Sequence, residues 1–316
     1  MPEVSSLGAL VEGRLAWLRE AGVDTDTILA KVLARVDAHA PDEAAELRAL
    51  AQAAALAPEL LLTLDGGLVA TLTGAEIERS LGLYVDGPRG PVLSGAWALP
   101  RAEAEQVGLR QIASGAWIFG LPGSFGLAGI AAAGYAGLAN LLRPRELGLG
   151  IPGSLLLRRV LAPARLDQSR AAIESTPLLD GRNWMLADGR AFYGFEQLGA
   201  ERILTRIGAK TSHVHANHCF DPSLRQREAT PRSVPSFRRL ELASTLYVQR
   251  RPATAVELLD FFDAVEQAAF AEPGDRAQTL LAIELTEGLA HWRRHADAPV
   301  QTTRFHTPLS IHEDAP

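Results

Sequence analysis

Apolar residues recur at helical spacing through the first sixty positions and then change rhythm. "LVEGRLAWLREAG", "TILAKVLARVDAH" and "EAAELRALAQAAALA" place them three or four apart, which predicts three helices. From Leu60 the chain turns to short apolar runs separated by Gly, Pro and Asp, in "LLLTLDGGLVATL", "LGLYV" and "VLSGAWAL". The "DGPRGP" between the last two predicts a hairpin with a loop longer than the tightest turns. Similar runs follow in "AWIFGL", "SFGLAGIAAAGYAGLAN", "NWMLAD", "RAFYGFEQ" and "SHVHAN". Helical spacing returns in "GSLLLRRVLA", "LDQSRAAIES", "SFRRLELASTLYVQ" and "TAVELLDFFDAVEQAAF", and "TLLAIEL" and "GLAHWRR" predict a closing hairpin across "TEG". Strands in blocks and helices in blocks indicate α+β rather than an alternating βαβ series.

Composition narrows the function class more than the fold. The 316 residues are 47% hydrophobic and 22% charged, enough for one large domain or two small ones. A net charge of -6, with arginines scattered rather than striped, offers no basic footprint and sets nucleic acid aside. One cysteine allows no internal disulfide, and the opening residues lack a basic start followed by an apolar block, so cytoplasm is the expected location. The most apolar segment, Ala113 to Leu142, is interrupted by seven Gly or Pro residues between Gly120 and Gly137, which suits buried strands better than a membrane span.

"HVHANHC" concentrates the chemistry: three histidines, Asn217 and Cys219 in seven residues. A strand would put His213 and His215 on one face, with Cys219 or Asp221 near enough to complete a metal set. Adjacent ligands on one short strand seldom close a tetrahedron, and no HExxH or CxxC stands elsewhere, so no metal is expected. Cys219 paired with His218 or His215 would make a nucleophile, against the plain reading of a buried, inert thiol. The glycines of "GLPGSFGLAGIAAAG" fit no phosphate-binding pattern and serve close packing of backbone, so no cofactor is expected. Arg238 and Arg239, at the head of a predicted helix, are candidates to hold a carboxylate.

Several segments in order resemble one family, the acyl-coenzyme A:6-aminopenicillanic acid acyltransferases, which are N-terminal-nucleophile (Ntn) hydrolases. "GLANLLRPRELGLGIP" is similar to a family segment in which Asn precedes Leu-Arg-Pro and then Gly-Val-Pro. "HVHANH" resembles a His-Thr-Asn-His signature, with Ala216 at the Thr. "RNWMLADGRAFYGFE" and "PSFRRLE" resemble a later strand pair and a Ser-x-x-Arg helix start. The resemblance implies a four-layer αββα sandwich, with residues 1–79 as an N-terminal helical, propeptide-like segment and 80–316 as the catalytic region. It also implies a precursor that cuts itself before its nucleophile and then transfers or hydrolyses the acyl group of a small amide or thioester.

By that resemblance the nucleophile position falls on Ser80, preceded by Arg79, and Asn217 supplies an oxyanion donor. Arg238 joins them as a catalytic residue, while Trp97, Glu196, His213, His215 and Arg239 are substrate contacts. The implied partner is a small molecule, acyl-coenzyme A among the candidates; no membrane is expected, and a homo-oligomer is allowed. The chain departs from the family at the nucleophile, where Ser replaces Cys, and at Ala98, where the family has Asp. These losses fall on polar positions while the apolar scaffold persists. A second expectation follows: an uncut scaffold reassigned to acid/base condensation or cyclisation through His213, His215, Glu196 or Asp188, or to binding alone.

Overall fold

The computed structural model describes residues 4–75, 78–208, 210–229, 235–270 and 276–305. Helices α1 (Val4–Glu20), α2 (Thr25–His39) and α3 (Pro41–Ala53) lead to α4 (Pro58–Leu61), a 3-10 turn and α5 (Gly66–Thr73). The hairpin β1 (Arg79–Gly87) and β2 (Gly90–Pro100) follows, then α6 (Arg101–Ala104). A meander of β3 (Gly108–Gln111), β4 (Trp117–Gly120), β5 (Ala128–Ile130) and β6 (Ala136–Leu142) comes next. Helices α7 (Gly153–Leu161) and α8 (Leu166–Ser175) precede β7 (Gly181–Ala187), β8 (Phe192–Leu198), β9 (Glu201–Gly208) and β10 (Ser212–His215). The chain continues through α9 (Pro222–Arg225), α10 (Pro235–Arg250) and α11 (Ala255–Ala269) to β11 (Arg276–Glu284), β12 (Leu289–Arg293) and β13 (Gln301–Arg304).

Two antiparallel sheets result, ordered β10-β1-β2-β11-β12-β13 and β3-β4-β5-β6-β7-β8-β9. Strand β1 shows why they stack. Its odd residues Leu81, Leu83 and Val85 pack beneath α11 with Leu258 and Phe262, while the alternate positions face the other sheet. There Tyr84 stacks on Phe192 of β8 at 4.3 Å, and a Cβ on Gly82 would stand 2.9 Å from Asn140 Oδ1 of β6. With α10 and α11 on one outer face and α7 and α8 on the other, the architecture is the expected α+β sandwich of four layers, αββα.

The N-terminal helices share the central core: Leu10, Leu29, Leu47 and Leu64 belong to the same buried cluster as Trp97, Leu138 and Leu156. Ion pairs cross to α6, α7 and β7 as well, from Arg14 to Glu103, Glu43 to Arg159 and Asp65 to Arg182. Among the described residues no single helix is long and apolar enough to cross a membrane.

Two local readings of the sequence are corrected and one strand is added. "LLLTLDGGLVATL" is helical, because Asp65 caps α5 by accepting the Leu68 N–H at 2.7 Å. The first hairpin is tighter than expected: its ladder runs to Gly87 opposite Gly90, which leaves Pro88 and Arg89 as the loop. And β9, too polar to show as an apolar run, is a sheet edge whose side chains are largely open to solvent.

Candidate active site

Four segments distant in sequence meet at the start of β1. Ser80 is 1% exposed and stands opposite Trp97 on β2. Asn217, just past the end of β10, spans it with one side-chain amide: Oδ1 accepts the Ser80 N–H at 2.6 Å, and Nδ2 donates to Ser80 Oγ at 2.7 Å. The same Nδ2 donates to the Leu141 carbonyl of β6 at 3.0 Å, which fixes the plane of the amide. Arg239, on the first turns of α10 and 2% exposed, donates to Asn217 Oδ1 at 2.6 Å. A guanidinium on the oxygen of an amide polarises it and makes its N–H bonds better donors.

The backbone of Asn217 is held just as firmly. Its N–H donates to Ser236 Oγ at 2.9 Å, and that hydroxyl donates in turn to His218 Nδ1 at 2.7 Å. His218 can accept because burial, with the charged groups around it, pushes it down to about 3 and keeps it neutral. It also stacks on Phe237 at 3.8 Å. His218 therefore acts as a support for the asparagine.

Glu78 was not singled out from the sequence. Its carboxyl is buried, lies near enough to the Ser80 side chain to be pulled down by it, and accepts the Leu141 N–H at 3.4 Å. Burial raises it above the ordinary glutamate range, against the pull of Arg182, of Ser80 and of the Leu141 N–H. Ser80 Oγ thus holds an amide donor and has a buried carboxyl two residues away along the chain.

No family model matches the chain, and no curated protein does either. Among solved structures it is similar to a conjugated bile acid hydrolase from Clostridium perfringens, at 11% identity over 71% of this chain and 92% of that one, with a TM-score of 0.44. It is also similar to a penicillin V acylase from Agrobacterium tumefaciens, at 12% identity over 71% and 86% of the two chains, with a TM-score of 0.38.

Of the residues named from sequence, Ser80, Asn217 and Arg239 are brought together and Arg238 is not. Arg238 is exposed and, among the described residues, reaches only the Ala268 carbonyl, at 3.4 Å. The reason is helix phase: Ser236, Arg239 and Ala243 share the buried face of α10, so adjacent Arg238 must point away. Arg239→Ala should lower any Ser80-dependent activity by about ten- to a hundredfold, since a buried charge-assisted hydrogen bond is lost. Arg238→Ala should leave kcat/KM within about twofold. Equal effects from the two would contradict this placement.

Trp97 lies beside Ser80 in register but is fully buried, packing against Phe119 and donating its indole N–H to the Ala139 carbonyl at 3.4 Å. In this closed arrangement it presents no free face to a substrate. His215 and Glu196, both wholly buried, are paired at 2.7 Å. Glu196 also accepts the N–H groups of Phe220 and Asp221, and His215 Nδ1 meets the Ala216 carbonyl at 2.7 Å. These groups are saturated by one another and hold the turn that carries Asn217.

His213 is pushed down to about 3 by burial and packs against Phe192. The rings of His213, His215 and His218 are 6.2 and 6.4 Å apart in sequence, and no metal-binding group of three or more His, Cys, Asp or Glu forms among the described residues. Cys219 is buried, with its thiol pushed up by burial and by nearby Glu228. That is the environment of an inert thiol.

Proposed function

We propose that this chain is an Ntn-type hydrolase or acyltransferase that acts on a small-molecule amide or thioester, with Ser80 as its nucleophile. The observation that carries the reading is the double grip of one half-buried amide, Asn217, on both the N–H and the Oγ of Ser80, 137 residues away. Such a grip orients the hydroxyl relative to its own backbone nitrogen. That relation matters when the nitrogen is to become the base: a cut between Arg79 and Ser80 would convert it to an α-amine held by Asn217 Oδ1. The Asn217 amide, polarised by Arg239, is then a neutral donor for the oxygen of a tetrahedral intermediate. The bile acid hydrolase and penicillin V acylase named above agree in reaction class, as do the secondary-metabolite acyltransferases that the sequence resembles.

The alternative of an uncut acid/base scaffold has less support from the geometry. His215 and Glu196 are hydrogen-bonded to each other in the core, at 2.7 Å. Asp188 is occupied as a turn residue, accepting the N–H groups of Arg190 and Ala191 at 2.7 Å each. The deciding experiment is the intact mass of purified protein, with N-terminal sequencing of any fragment. A new N-terminus at Ser80 is expected, followed by turnover in a screen of amides and thioesters; an uncut chain with activity independent of Ser80 would return the scaffold reading.

A further inference from the structure

We infer that Glu78 is the acid–base residue of cleavage between Arg79 and Ser80, acting with water drawn from the cavity it lines. The inference rests on the reading of Ser80 as a self-released nucleophile and assigns a catalytic group to the release step.

Three observations converge. The first is proximity: Glu78 lies two residues before Ser80 and feels its side chain, and it accepts the N–H of Leu141, the residue whose carbonyl shares Asn217 Nδ2 with Ser80 Oγ. The second is enclosure. Ser80 is 1% exposed, and the cavity beside Glu78 measures about 30 Å³, with Arg14 of α1 and Leu64 in its wall. No substrate of useful size fits there. The carbonyl of Arg79, joined to the Ser80 nitrogen, is the acyl group the hydroxyl already has beside it. The third is the character of the cavity. Its volume suits a water or two, and its wall carries Glu78, Asp65 and Ser124 together with Arg14 and Arg182. Arg14 Nε and Nη1 and Arg182 Nε are buried there without a hydrogen-bond partner. Buried donors without partners are uncommon and favour an occupant that can accept from them.

The chemistry balances with water as the one co-reactant. The Ser80 proton passes to the Glu78 carboxylate as Oγ bonds to the Arg79 carbonyl carbon, and the π pair moves onto oxygen. Collapse breaks the C–N bond while Glu78 returns the proton to the Ser80 nitrogen, which gives an ester and a free amine. Water then adds to the ester carbon, losing a proton to Glu78. The C–Oγ bond breaks and Glu78 reprotonates Oγ, leaving a carboxyl on Arg79. The Ser80 nitrogen stays on Asn217 Oδ1 throughout, so the new amine is formed in position.

The test follows chain cleavage by mass spectrometry after cell-free synthesis, in wild type, Glu78→Gln and Glu78→Asp. Glu78→Gln should slow the cut by about a hundredfold or more while melting close to wild type, because Gln still accepts the Leu141 N–H. Glu78→Asp keeps the carboxylate and should be slowed less than Gln. In wild type the rate should rise with pH through a carboxyl titration above the ordinary glutamate range, set by burial and by the facing Arg182 and Asp65, and this limb should vanish in Glu78→Gln. A Glu78→Gln chain that cuts at the wild-type rate would overturn the assignment and leave Ser80 as nucleophile intact. A wild-type chain that is never cut at this bond would remove both.

Discussion

Ser80→Ala is expected to leave the chain in one piece and to reduce turnover of any amide or thioester substrate by on the order of a thousandfold or more. Without Oγ there is no acyl acceptor, and without the cut there is no α-amine to act as base. The fold should tolerate the change: Asn217 Nδ2 loses one acceptor but keeps the Leu141 carbonyl, and alanine fits where serine did. Thermal unfolding within a few degrees of wild type, with a single intact mass and lost activity, is the predicted combination. Asn217→Ala acts on the same step from the other side. It removes both contacts to Ser80 and leaves buried Arg239 without its amide oxygen, so a loss of about a hundred- to a thousandfold is expected. Activity that survived Ser80→Ala would exclude the acyl-enzyme route altogether.

How much of this was readable from the sequence differs from residue to residue. The block pattern of strands and helices implied the layered α+β architecture because burial fixes apolar periodicity, and "HVHANH" drew attention to the turn that holds Asn217. Arg239 could have been chosen over Arg238 from the spacing of Ser236, Arg239 and Ala243 on one helical face. Asp65 carried a signal too, as an N-cap ahead of "GGLVATL". It was obscured because the glycines and the surrounding leucines mimic strand punctuation. Glu78 carried no such signal. Its partners are the neighbouring Ser80 and the backbone of Leu141, 63 residues on, and a contact made by tertiary packing leaves no periodicity behind. The histidines show the reverse case: a conspicuous cluster in which His215 and His218 turn out to be buried supports, because a strand end that must hold one asparagine rigid needs several satisfied polar groups around it.

Arg182→Met should be the most destabilising single change outside the apolar core, by about 3–5 kcal/mol at neutral pH. Arg182 bridges two buried carboxyl groups, of Asp65 at 3.1 Å and of Asp180 at 2.7 Å. Those aspartates in turn accept the N–H groups of Ser154 and Gly153 at the start of α7. The cluster therefore ties the N-terminal segment to β7 and to a helix. Its charge states can be followed by pH. Arg182 and local hydrogen bonds outweigh burial at Asp65 and hold it below the ordinary range, so its contribution is present above that range and is lost as pH falls through the lowered value. Burial dominates at Asp180 and pushes it up to about 8, so its contribution is present in acid and is lost as pH rises toward that value. Without Arg182 both carboxyls rise, and the variant suffers wherever either must ionise in the core. The defect should accordingly be large at pH 7 and shrink toward pH 4, where both can be protonated. Urea unfolding of wild type and variant at the two pH values measures it. A defect of the same size at both would mean that lost packing of the arginine stem, rather than stranded charge, accounts for the effect. Because the cluster holds the N-terminal helices against the strands, the same variant should also loosen that segment in a chain cut before Ser80 as proposed. Retention of the fragment on a size-exclusion column, compared between wild type and Arg182→Met, would report this directly.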